Sequence, residues 1–243
     1  MTSSLSIEAK TRLLQQIDTW PHIYPSIPAS VALHARGIVR DGVSCSLLRS
    51  LVEEPAKTPA ALNSFFQSAG AILGLTGEPL VRTADWHPKD LDLNRFDAMI
   101  AELRTVVWLS EEGFCDIRLL RSEGQKRADG TAHKAHTKYA VEVACVTGWR
   151  PPSHDRRSQD LKQVLLDKYD EKKSQLDTTA ARQGCQSRVL VCVFVGLDQT
   201  AMITRQEYLE QGLKPAWYEL GAPTDTHLAV IAHPSDNCVF PPW

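Results

Sequence analysis

The sequence holds no apolar run of membrane-spanning length. Its longest, near Val189–Val195, is about as long as a strand and far short of the ~20 residues a bilayer helix needs. The opening Met1-Thr2-Ser3-Ser4-Leu5-Ser6 has neither the basic region nor the apolar stretch of a secretory signal. The expectation is therefore a cytoplasmic chain with no membrane attachment. No Cys-x-x-Cys occurs among Cys45, Cys115, Cys145, Cys185, Cys192 and Cys238, so the thiols read as reduced core residues rather than disulfides or a zinc shell. An excess of one charge is also missing: 27 Lys+Arg face 29 Asp+Glu, a net charge of −2 over 243 residues. That argues against a surface that coats nucleic acid throughout, while a local basic groove stays open. A Gly-rich phosphate loop and a Gly-x-Ser-x-Gly elbow are both absent.

Two grammars are present. Residues 1–93 read as helices joined by Pro-rich loops: Ser6–Trp20, Ser46–Glu53 and Pro59–Leu73, with Pro21–Pro28 expected to be non-helical. Residues 94–243 read as α/β. An amphipathic helix carrying Phe96, Ile100, Leu103 and Val107 stops at Gly113. Strand-like segments follow at Phe114–Leu120, Lys126–Ala132 and Lys138–Val146, the last two joined through His133–Thr137. A long helix spans Ser158–Arg182, with Ser158 as its cap and Asp160 in its first turn. A β-branched run at Arg188–Val195, a short helix at Thr204–Gly212 and a last strand at Thr226–Ala232 complete the order. This predicts a mixed central sheet flanked by helices, preceded by a helical N-terminal region.

Several side chains are out of place for a plain core. In Tyr139-Ala140-Val141-Glu142-Val143-Ala144, strand alternation puts Tyr139, Val141 and Val143 on one face and Ala140, Glu142 and Ala144 on the other. Glu142 is either solvated at an edge or buried and partnered. Asp129 precedes Gly130, a turn signal, but the strand pairing would also bring it beside Glu142. Two hard oxygen donors side by side suit Mg²⁺ or Mn²⁺. On the long helix, Lys168 and Lys172 fall within the apolar stripe of Leu161, Val164, Leu165, Tyr169 and Leu176, with Gln175 at its edge. Either these amines snorkel to water or one reaches the carboxylates. Glu102, on the earlier helix, is an ordinary half-exposed acid or a third carboxylate. His133 and His136 look like a metal pair but fit a polar hairpin tip better.

Taken in order, these residues resemble the PD-(D/E)XK nuclease superfamily, with its restriction-endonuclease-like fold. The likeness runs from Phe96–Leu103 and Glu112-Gly113-Phe114 through Arg127-Ala128-Asp129, Tyr139–Val143 and Lys172-Lys173-Ser174-Gln175-Leu176 to Val189–Val195. It covers about 100 of the 243 residues. It implies Asp129 and Glu142 as the motif acids, with Glu102 similar to the helical acid of some branches. Asp116 competes as first acid but lies farther from Glu142. The motif lysine belongs two residues after the second acid, and Ala144 stands there. The resemblance then implies an amine moved to the following helix, as in some branches, with Lys172 preferred over Lys168 because Gln175 completes a Lys–Gln pair.

The implied activity is phosphodiester hydrolysis with Mg²⁺ or Mn²⁺, DNA favoured over RNA as substrate. The alternative is an inactive module of the same fold that binds nucleic acid or a protein partner. Arg127, Arg150, Arg156 and Arg157 would track the backbone, with Trp149 stacking on a base and Gln175 beside them. A homodimer contact or a protein partner would use the helical N-terminal region.

Overall fold

The computed structural model describes residues 5–86, 92–120, 128–149, 160–195, 203–232 and 237–243. The chain divides into two compact units, Met1–Met99 and Ile100–Trp243. In the first, α1 (Ile7–Asp18) starts where the Ser6 hydroxyl accepts the Ala9 amide at 3.2 Å. The helix expected to reach Trp20 breaks at Thr19, and a one-turn helix α2 (Trp20–Ile23) follows. This corrects the exclusion of helix from Pro21–Pro28: Pro21 lies in the first turn of α2, where its missing N–H has no helical partner to lose. α3 (Ala29–Asp41) was not anticipated. It buries Val31, Ala35, Ile38 and Val39 and stops at Gly42, whose φ of 67° is the left-handed conformation that glycine tolerates best. α4 (Ser46–Glu53) and α5 (Lys57–Leu73) follow the predicted pattern, and the short α6 (Glu78–Thr83) is an addition. α7 (Leu93–Glu111) begins in this unit and ends in the next.

The second unit is a six-stranded mixed sheet whose spatial order equals its chain order. β1 (Cys115–Leu119), β2 (Gly130–Lys134) and β3 (Thr137–Thr147) form an antiparallel meander. α8 (Leu161–Gln183) then returns the chain so that β4 (Ser187–Val195) pairs parallel with β3, and β5 (Thr226–Ile231) pairs parallel with β4. Between β4 and β5 come α9 (Arg205–Glu207), a π-helical stretch at Tyr208–Leu213 and α10 (Lys214–Glu219). This helical stretch starts at a Thr204 capping box and outruns its expected end at Gly212. β6 (Cys238–Phe240), antiparallel to β5, is three residues long and went unread. The α/β class expected from the sequence is what the chain adopts.

Local differences have local causes. The β2–β3 turn is only Ala135-His136, and His133 belongs to β2. Asp160 is the cap of α8, its carboxylate accepting the Lys162 amide at 3.0 Å, rather than a residue of its first turn. The expected cap Ser158 lies outside the described residues.

Strand alternation splits the core in two. Tyr139, Val141 and Val143 join Ala101, Trp108 and Leu109 of α7 with Val189, Val191, Val193 and Ile231. Ala140 and Ala144 join Val164, Leu165 and Leu176 of α8 with Leu190, Cys192 and Phe194. β4 is thus buried on both faces, as its β-branched run predicts.

Candidate active site

Glu142 sits on the α8 face of β3 between Ala140 and Ala144, with 0% of its surface exposed. A carboxylate so placed needs a partner. It has one: the Lys172 ammonium lies 2.7 Å from Glu142 Oε1, its side chain 22% exposed. Ala140 and Ala144, the neighbours of Glu142 on that face, are small and buried in the α8-side core. Both Glu142 carboxylate oxygens are buried, and the Asp129 backbone also bears on the group.

Asp129 reaches the same place from β2. The β2–β3 register, ending at Gly130 opposite Val141, carries Asp129 alongside Glu142. The Val143 amide donates to Asp129 Oδ2 at 2.7 Å. The Leu120 amide donates to the Asp129 carbonyl at 2.7 Å. One residue earlier, the Ala128 amide donates to Thr179 Oγ1 at 2.7 Å. The Asp129-Gly130 pair is a strand entry rather than a turn. Glycine is needed because a Cβ there would lie 2.7 Å from the Arg118 carbonyl oxygen of β1.

Burial, reinforced by the Asp129 carboxylate, pushes the Glu142 carboxyl up to about 8, against the opposing pull of Lys172 and the Asp129 backbone. Burial also works to lower the Lys172 amine, but the facing Glu142 and Asp129 carboxylates outweigh it and hold the amine above its ordinary value. Acid and amine therefore both bind protons more tightly than free side chains do.

The remaining sequence candidates go elsewhere. Lys168 turns to Glu171, 2.7 Å away at i+3. Glu102, half-buried on α7, lines a cavity of about 10 Å³ with Asp129, Thr131, Val141 and Val143, room for about one water. Val141 and Val143 face away from Glu142, so Glu102 is across the sheet from it, and Asp129 borders both sides. The expected three-carboxylate shell is therefore not assembled. Among the described residues no group of three His, Cys, Asp or Glu is arranged to hold a metal.

Trp149, expected to stack on a base, is 5% exposed and packs on Phe194 and Tyr208, with ring centroids at 5.0 and 6.2 Å. Gly148, at φ 71°, turns the chain so that this ring folds back on the core. Gln175 is half-buried on α8. Arg127, Arg150, Arg156 and Arg157 lie outside the described residues.

Two lysines of the strands are engaged in the fold. Lys134 donates to the Glu112 carbonyl at 2.6 Å and Lys138 to the Gln183 carbonyl at 2.8 Å, each at the end of a helix where cations are favoured. His133 faces Asp116 at 3.9 Å rather than a histidine partner. The residue that the sequence reading missed is Thr179. Its signal was a hydroxyl two turns beyond Lys172 on the same line of α8, between the apolar Leu176 and Ala180.

Mg²⁺ takes one or two carboxylates and leaves the rest of its octahedron to water and phosphate oxygens. The buried Glu142 carboxylate, with the Asp129 carboxylate beside it, supplies two donors of that kind. Compared with known proteins, this chain matches no family model, no curated protein and no solved structure.

Proposed function

We propose that this chain is a metal-dependent nuclease that hydrolyses phosphodiester bonds, with DNA the favoured substrate. One observation carries the reading: the Lys172 amine, coming from α8, meets the buried Glu142 carboxylate at 2.7 Å with Asp129 alongside. An acid, a second acid and an amine then share one face of the sheet, without a lysine two residues after the second acid.

Glu142 and Asp129 would hold Mg²⁺ or Mn²⁺, which when bound polarises the scissile phosphate and lowers the pKa of the attacking water. The Val143 amide fixes one Asp129 oxygen, which orients the carboxylate before any ligand arrives. Lys172 supplies a positive charge that stabilises the charge developing on the phosphate. Nucleic acid is the partner, and a homodimer or protein contact is assigned to the helical N-terminal unit. The proposed setting is the cytoplasm; no helix among the described residues is long and apolar enough to cross a membrane.

The purified chain should cut DNA or RNA with Mg²⁺ or Mn²⁺ and stop with EDTA. Full cutting by both folded Asp129→Ala and Glu142→Ala variants would overturn the assignment. The complete burial of Glu142 favours a second reading, a non-catalytic module in which the Lys172–Glu142 pair only holds α8 to the sheet. Binding of nucleic acid without any cutting, whatever the metal, would select it.

A further inference from the structure

We infer that Thr179 is a positioning residue for this site, holding the strand entry so that the Asp129 carboxylate stays beside Glu142 and Lys172. The inference rests on the nuclease reading and adds a residue to it. Thr179 is 2% exposed, and its hydroxyl oxygen accepts the Ala128 amide at 2.7 Å. Ala128 itself is fully buried, so no water replaces that acceptor. Thr179 lies two turns after Lys172, which puts both on one line of α8, with the fully buried Leu176 between them. A single helix line thus delivers the amine to Glu142 and anchors the residue next to Asp129.

The Thr179 bond adds to those that hold Asp129 from within the sheet. The Asp129 carbonyl is tied to Leu120 and its Oδ2 to the Val143 amide, both bonds within the sheet. The second fixes one oxygen of the carboxylate and leaves its other lone pairs for a cation. The Thr179 bond comes from outside the sheet and leaves the carboxylate alone. Partners that orient a ligand in this way typically contribute roughly 10–100-fold to metal affinity.

The test is titration of Mn²⁺ into the full chain by calorimetry, with near-ultraviolet circular dichroism confirming the fold. Thr179→Val keeps the shape and removes the acceptor; it should weaken Mn²⁺ binding roughly 10–100-fold. Thr179→Ser should restore wild-type affinity, and Thr179→Cys, a weak acceptor, should fall between. Cutting by Thr179→Val should recover at high Mn²⁺, a shift in metal requirement rather than in maximal rate. If Thr179→Val does not fold, the Cys variant carries the comparison. A folded Val or Cys variant that binds Mn²⁺ like the wild type overturns the positioning role and leaves the nuclease reading standing. A wild-type chain that binds no Mn²⁺ overturns both.

Discussion

The two faces of β3 are built from alternate residues of one strand, yet they do different things. Toward α7, Tyr139, Val141 and Val143 fill the interface with bulk, and the polar atoms near them line a cavity the size of one water. Toward α8, Ala140 and Ala144 are too small to fill the space, and it is taken by the Glu142 carboxylate and the Lys172 amine. The packed face has charged groups around its small cavity; the alanine face holds a buried ion pair with a neighbouring helix. The contrast shows how small residues on one face of a strand go with a buried acid paired to an amine from a neighbouring helix.

The sharpest way to break the contrast is on the polar face. Asp129→Ala and Glu142→Ala should each reduce metal-dependent cutting to background while the far-ultraviolet spectrum stays helical and sheet-like. Lys172→Met comes next, with a loss of about 10²–10³-fold in cutting, the usual size for removing a group that stabilises charge in the transition state. The same variant strands a buried carboxylate, which costs up to about 3–5 kcal/mol in urea melts above the Glu142 pKa. Below that pKa the loss shrinks, because the acid takes a proton instead. Adding Glu142→Gln to Lys172→Met should recover most of the stability and none of the cutting; a double variant as unstable as the single one would deny that the buried charge is the cause.

The packed face should respond in the opposite way. Ile231→Ala, on β5 in the α7-side core, should cost about 2–5 kcal/mol and leave Mn²⁺ affinity unchanged. A metal effect from that position would erase the distinction between the faces.

The pH dependence is a finer measure. Glu142 binds its proton more tightly in the folded chain, with its value raised from 4.5 to about 8. Its contribution to stability is therefore fully present below pH ~4.5 and is lost as pH rises through about 8. Glu142→Gln should flatten that part of the stability profile. A bound cation favours the carboxylate, so the rise in Tm produced by Mn²⁺ should grow with pH over the same window. The smallest effect belongs to Lys168→Ala, whose partner Glu171 is largely exposed. Stability should change by about 0–1 kcal/mol and cutting should not change; a large loss of cutting would reinstate Lys168 at the site.

Much of this was legible in one dimension. The period-two pattern of Tyr139–Ala144 puts Glu142 between two alanines on a single face, and the helical period of α8 brings lysines into an apolar stripe. Both are local geometry. What was misread depended on neighbours distant in sequence. Trp149 looks like a ring at the mouth of a groove until Phe194 and Tyr208 are seen packed against it. Asp129-Gly130 looks like a turn until β1 is seen pressing on Gly130. Glu102 has helical spacing toward a core, but spacing alone does not say on which side of the sheet that core lies. Pro21 was expected to keep the residue before it out of a helix, yet in the first turn of α2 its missing N–H has no partner to lose and Trp20 is helical.

The sequence by itself determined the alternation of elements, the α/β class and the pairing of small residues with a buried acid, because propensity and periodicity act over a few residues. Only the tertiary structure decided that Lys172 and not Lys168 reaches Glu142. It alone brought the Thr179 hydroxyl to the entry of β2, 51 residues away in the chain. Those choices turn on the rotation of α8 about its axis and its height above the sheet. Both are set by packing of the whole α8-side core, to which no single segment of sequence refers.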